Sequence, residues 1–122
     1  MGTTFERPVF ARLRRACLAF PETSETSSWG HPNFRAGKKT FCALEIFDGR
    51  PSIAFRVTAA EAKRLARRKS FFETPYGRGV WVSAWLDGPI DWRLLVRTIE
   101  RSYRGVAARR ALRLLDSSSK RI

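Results

Sequence analysis

The chain has 122 residues and a mass of 14.0 kDa, with 43% hydrophobic, 12% aromatic and 29% charged residues. That length suits one domain, and that composition excludes a disordered or collagen-like chain; no apolar run approaches the length of a membrane span. Lys and Arg number 24 against 11 Asp and Glu, a net charge of +13. This balance favours polyanionic partners, and it is also what a solvated, Arg-rich surface would show.

Residues 8–19, PVFARLRRACLA, read as a helix. Pro8 fits the first turn, where its missing N–H costs nothing. Phe10, Leu13 and Cys17 recur at i, i+3 and i+7 and can share a buried stripe. Arg7, Arg12, Arg14 and Arg15 interrupt the stretch where a secretion signal needs an unbroken apolar core, so a cytoplasmic protein is expected. Pro21 ends the helix, and the polar stretch PETSETSS at 21–28 reads as a loop.

Three strands are expected next. Asn33 to Ala36 is a short one, and Gly37-Lys38-Lys39 follows as a turn. Thr40 to Phe47 is apolar at nearly every position, which predicts a central strand covered on both faces for part of its length. Glu45 interrupts it, as an acid expected to point out at a sheet edge or to pair with Arg56. Asp48-Gly49 is a two-residue hairpin signal, because both residue types tolerate positive φ. In 51–57, Ile53, Phe55 and Val57 alternate with Ser52, Ala54 and Arg56, so antiparallel pairing with 40–47 is predicted.

Thr58-Ala59-Ala60-Glu61 matches a capping box and opens a helix to about Lys69. Lys63, Arg64, Arg67 and Arg68 lie opposite its apolar side. Residues 71–79, rich in Gly and Pro, read as a loop, and 80–86, VWVSAWL, as a strand. Asp91 caps a helix from Trp92 to about Val106. Trp92, Val96, Ile99, Tyr103 and Val106 form its core stripe, and Arg93, Arg97, Arg101 and Arg104 a second stripe centred roughly 140° away at 100° per residue. Residues 107–115 either continue that helix or form a short last one, which sets the domain at 1–115 with a frayed tail at 116–122.

Little in this chain points to catalysis. His31 is the single histidine, between Gly30 and Pro32 in what reads as a rigid turn, and Cys17 and Cys42 are widely separated. That set supplies neither a metal site nor a nucleophile with its base, and in a reducing compartment the cysteines read as buried free thiols. Gly77-Arg78-Gly79 lacks the third glycine of a dinucleotide fingerprint. No enzyme, cofactor or metal is expected. Basic surface remains: residues 62–122 carry fifteen basic and five acidic side chains, against nine and six in residues 1–61. The candidate phosphate contacts are Lys38, Lys39, Arg50 and Arg78 on turns, and Arg64, Arg67, Arg68, Arg97, Arg101 and Arg104 on helices. The competing reading is a protein- or small-ligand-interaction module using Trp29, His31 and Phe34, with charge serving solubility.

The stretch 20–41, FPETSETSSWGHPNFRAGKKTF, resembles the MmcQ/YjbR family through Pro21, Glu25, Trp29, Gly30, Pro32, Phe34, Arg35, Lys39 and Phe41. Gly79-Val80-Trp81-Val82-Ser83 with Asp87 is similar to a second family segment, with Val80 inserted. Ser102-Tyr103-Arg104-Gly105-Val106-Ala107 is similar to a third, and Ala108 departs from the proline that members often carry. The resemblance implies an α+β domain with an antiparallel sheet of about four to five strands and packing helices. It also implies duplex DNA as partner, met by a double-wing arrangement of hairpins. A monomer is expected, with no membrane contact.

Overall fold

The computed structural model describes residues 5 and 7–119. Helix α1 (Pro8–Leu18) is followed by four strands, β1 (Thr23–Ser28), β2 (His31–Ala36), β3 (Lys39–Phe47) and β4 (Arg50–Arg56). Then come α2 (Ala59–Ala66), β5 (Phe71–Glu73), β6 (Trp81–Trp85), α3 (Trp92–Val106) and α4 (Arg109–Ser119). The six strands form one antiparallel sheet in the order β1-β2-β3-β4-β6-β5, one or two strands more than expected. Among the described residues, no helix is long and apolar enough to cross a membrane.

The predicted pairing of β3 with β4 is present, with Cys42 opposite Phe55 and Glu45 opposite Ser52. Asp48 and Gly49 both take positive φ in the turn between them. Two expected loops are strands instead. The polar 23–28 segment is edge strand β1, held by a second two-residue turn at Trp29-Gly30, where both residues again have positive φ. His31 and Pro32 therefore start β2 and are not in the turn. At the other edge, Phe71–Glu73 pairs with β6. Edge strands need only one partner and little apolar character, so neither shows the alternation that marks an interior strand.

The core lies on one face of the sheet. Phe10, Leu13 and Cys17 of α1, Ala62 and Leu65 of α2, and Leu95, Ile99 and Tyr103 of α3 pack with Phe34, Ile53, Phe55 and Val82 in a single cluster. β3 supplies two consecutive residues to it. The register runs from Phe34↔Cys42 to Arg35↔Thr40, so Phe41 is an extra residue, a bulge that turns both Phe41 and Cys42 toward the helices. Both thiols are free and buried, and burial, with Cys17 alongside, pushes the Cys42 thiol well above its usual value.

The helices keep most of their expected bounds. The capping box of α2 is formed: Thr58 Oγ1 accepts from Glu61 N at 3.1 Å, and Glu61 Oε1 accepts from Thr58 N at 3.3 Å. The helix stops at Ala66, three residues short of Lys69. On α3 the buried stripe is Leu95, Thr98, Ile99, Ser102 and Tyr103, and Val96 is exposed. A stripe drawn through Val96 and Ile99 misses the true centre by about one residue, because Leu95 and Ser102 also point inward. The chain breaks at Ala107, whose extended ψ of 147° separates α3 from α4. Helix α4 runs through Ser119, so 116–119 of the expected tail are helical, and 120–122 lie outside the described residues.

Tyr103 locks α3 to the start of the sheet. It is fully buried, stacks on Phe20 at 4.6 Å, meets Phe41 edge-on at 5.6 Å, and donates its hydroxyl to the Pro21 carbonyl at 2.7 Å. Tyr103→Phe keeps the ring and leaves that carbonyl without its donor. The expected cost is about 1–2 kcal/mol in urea denaturation, and an unchanged midpoint would show that the hydroxyl contributes nothing.

Candidate functional site

The cations divide by position. Residues of α2 and α3 meet in antiparallel order through their side chains. Arg101 Nη1 donates to Glu61 Oε2 at 3.1 Å, Arg64 shares a groove with Arg97 and Arg101, and Arg68 shares a recess with Asp91 and Leu94. Arg64 on α2 thus confronts Arg97 and Arg101, one turn apart on α3, while Arg67 and Arg68, expected on the helix, follow its end at Ala66. Lys63 on α2 and Arg67 at its C-cap are exposed. Arg104, also on α3, is held by Glu100 at 2.8 Å and Asp116 at 3.0 Å.

The turn cations are not brought together. Lys38 and Lys39 lie beside the end of α3, sharing a recess with Val106, Ala107 and Ala108. Arg50 starts β4 at the opposite end of β3, about 26 Å away at about 3.3 Å per residue. Its guanidinium lies over the Trp85 ring at 3.8 Å and binds Asp87 at 2.6 Å, and that bond holds the Asp87 carboxyl below its usual range. Arg78 stands two residues beyond Tyr76 in the β5–β6 loop, exposed and with positive φ. Lys38–Lys39 and Arg50 therefore stand apart, one hairpin turn at each end of β3. Among the described residues, ion pairs hold Arg14, Arg50, Arg101, Arg104 and Arg110, while Lys63, Arg64, Arg67, Arg68, Lys69, Arg93 and Arg97 have none.

The sheet's other face carries a different feature. Opposite the core, β2 presents His31 and Asn33, and β3 presents Thr40, Ala43 and Glu45. With Ser28, Trp29, Tyr76 and Trp81 they line a cleft of about 520 Å³. Phe34, expected to join Trp29 and His31 there, points the other way and is fully buried in the core, because adjacent strand residues alternate faces. Glu45 corrects its expectation too. It lies on an interior strand, is 5% exposed, and accepts a short hydrogen bond from the Tyr76 hydroxyl rather than pairing with Arg56. His31 Nε2 is 3.7 Å from the same carboxylate oxygen. Sequence reasoning missed Tyr76 and Trp81 as partners. The readable signal was Glu45 itself, an acid inside an otherwise apolar strand. Among the described residues, no three of His, Cys, Asp or Glu converge as metal ligands.

Burial raises the Glu45 carboxyl above its usual range, partly opposed by the Tyr76 hydrogen bond and by His31. Tyr76 in turn is pushed well above the usual phenol range, by burial first and then by its bond to Glu45. The folded protein therefore holds the Glu45 proton more tightly than the unfolded chain does. Glu45 accordingly costs stability as pH rises from the ordinary carboxyl range, about 4, through the raised folded value. Glu45→Gln should remove that loss, so the stability of the wild-type protein relative to the variant should fall with rising pH. Urea denaturation of both proteins at several pH values checks this, and parallel pH profiles would contradict it.

A family model described as YjbR matches residues 18–105. Two solved structures share the fold. One is a Deinococcus radiodurans protein with a DUF419 domain, 19% identical, at a TM-score of 0.71 over 87% of this chain and 86% of that one. The other is a Pseudomonas syringae protein, 17% identical, at a TM-score of 0.65 over 77% of this chain and 94% of that one. No curated protein sequence matches the chain.

Proposed function

Starting from the premise that this chain belongs to the YjbR family, we propose that it is a non-enzymatic duplex-DNA-binding domain whose contact surface is the α2–α3 face. The observation that carries this reading is the groove in which Arg64 meets Arg97 and Arg101, with Arg68 at its end. Arg64, Arg97 and Arg101 are mounted on helices that each pack on the sheet, so their spacing is set before any ligand arrives. Binding then releases counterions from the duplex without a large ordering cost. Glu61 neutralises part of Arg101. Exposed Lys63, Arg67, Lys69 and Arg93, none of them held in an ion pair among the described residues, add to the positive charge of these segments.

Helix-borne arginines along a shallow groove suit phosphates better than base edges. Low sequence specificity follows, because phosphate contacts position a duplex without reading it. The double-wing arrangement implied by family resemblance receives less support from this chain. The two hairpin turns that flank β3 lie at its opposite ends, and the Arg50 side chain is committed to Asp87 and Trp85. The Lys38–Lys39 turn is left as a secondary contact.

Anisotropy titration of a short labelled duplex at two salt concentrations tests the reading. If about six phosphates are neutralised, affinity should drop by about 10³ between about 50 and 200 mM salt. Arg64→Glu combined with Arg97→Glu should weaken binding by at least about tenfold and flatten the salt dependence. Lys38→Glu with Lys39→Glu should weaken it less. A larger loss in the turn variant would move the interface to the hairpin, and absence of micromolar binding at low salt would end the DNA reading.

A further inference from the structure

We propose that the cleft on the sheet face opposite the helices is a binding site for a small organic cation, a primary ammonium or guanidinium group, received by Glu45 and flanked by Trp29 and Trp81. This site is separate from the α2–α3 face and does not rest on DNA binding.

The carboxylate comes first. Glu45 is the one acid lining the cleft, and its side chain is 7% exposed. Tyr76 donates to Oε2, while Oε1 has no hydrogen-bond partner. His31, next to it, has Nδ1 buried and unpartnered as well. A buried carboxylate with an unused oxygen is a costly arrangement, and each such atom in a folded protein calls for an explanation. A cationic N–H donor is the strongest completion available to a carboxylate. An ammonium carries three N–H donors and a guanidinium five, enough to serve the carboxylate and still reach a second acceptor. An anion would meet Glu45 at short range and be repelled.

The rings come second. Trp29 is 96% exposed and sits at positive φ at the tip of the β1–β2 turn. A bulky side chain in left-handed backbone, wholly in solvent, gains nothing for the fold. At the cleft rim it offers a free π face. Trp81 lines the same cleft, with Tyr76 at 6.3 Å between ring centroids. Aromatic faces beside a carboxylate are a recognition surface for cations. The protein's net charge of +13 disfavours a cation at long range, but salt screens that field beyond about 10 Å, whereas contacts with Glu45 inside the cleft are screened far less.

Tyr76 supplies the entrance. Its hydroxyl occupies the carboxylate, yet its side chain is 43% exposed, and Gly77, Arg78 and Gly79 after it all have positive φ. Gly77 is required there, since a Cβ at that position would overlap the Trp81 ring. The incoming N–H group bonds the unused Oε1 as the Tyr76 ring swings aside, its hydroxyl keeping Oε2.

The test uses the full chain, with n-butylammonium and n-butylguanidinium as probes and n-pentanol as the uncharged control. Indole N–H resonances are followed by NMR. Trp29 and Trp81 should shift saturably in the millimolar range with both cations, while Trp85 and Trp92 stay still. Glu45→Gln, which preserves shape and an acceptor for Tyr76, should weaken binding by about tenfold or more. Trp29→Asn, which tolerates the turn backbone and removes the ring, should weaken it as well. No saturable shift from either cation at about 50 mM, far above the range in which such contacts saturate, would overturn the proposal. So would equal binding by Glu45→Gln, or equal binding of pentanol.

Discussion

Phe34, Phe41, Phe55 and Tyr103 interlock between the sheet and α3, and the position of every charged group follows from that packing. All four are fully buried. The bulge at Phe41 lets β3 give two neighbouring side chains to the helix side, and Ser102 on α3 answers by donating to the Phe41 carbonyl at 3.0 Å. With α3 pinned over β3 and β4, its arginines have only the outward and α2-facing sides left. Because α2 packs over β5 and β6, it must lie alongside α3, and its own cations meet them in the groove. The basic face is thus a by-product of where the apolar residues are, with the charges filling the helix positions that the core leaves free.

The same packing accounts for the second face. The helices cover one side of the sheet, and alternation along the strands still sends half of the residues to the other. Ser52, Ala54 and Ser83 are small and fully buried there, and Thr74 shares a 2.7 Å hydroxyl contact with Ser83. Phe72 stacks on Trp85 at 4.2 Å, with Phe47 edge-on to both. The β5–β6 loop closes over part of this surface and leaves the remainder as the cleft. A sheet face that is neither fully covered by a helix nor uniformly polar is where an isolated acid such as Glu45 can be buried at all.

Features set by local chemistry were legible in the chain. Asp48-Gly49, the Thr58–Glu61 capping box, Pro8 in the first turn and the Asp91 cap each depend on a few adjacent residues, and each lies where its residue types require. Features set by distant partners were not. Strand β1 is a run of Thr, Ser and Glu that becomes a strand because β2 offers it a ladder, and nothing in TSETSS itself demands one. The exposed Val96 and the inward Leu95 depend on how α3 is rotated against β3, which periodicity fixes only to within about one residue. The candidate site follows the same division. The cationic residues could be read from their spacing, but that Arg64 faces Arg97 while Arg50 is tied to Asp87 is a matter of tertiary pairing. Glu45 announced itself as an anomaly, yet its partners Tyr76 and His31 come from segments far from it in sequence and converge only through the sheet.

The two surfaces lie on opposite sides of one rigid layer, and this has a physical consequence. The core cluster fills the space between the groove and the strands, so substitution of an exposed arginine on α2 or α3 changes no contact of Glu45, and substitution at the cleft touches no groove cation. Long-range electrostatics is the remaining link. Both faces are exposed to solvent, so mobile ions there weaken the effect of a charge change on one upon the other. Energetic coupling between the faces would therefore have to travel through a shift of α3 against the sheet. Tyr103 and Ser102, which tie α3 to the Pro21 and Phe41 carbonyls, oppose that shift. The fold thus presents a basic helix layer and an acid-floored sheet layer on opposite sides, and any coupling between them would be a measure of how far those two hydroxyl bonds yield.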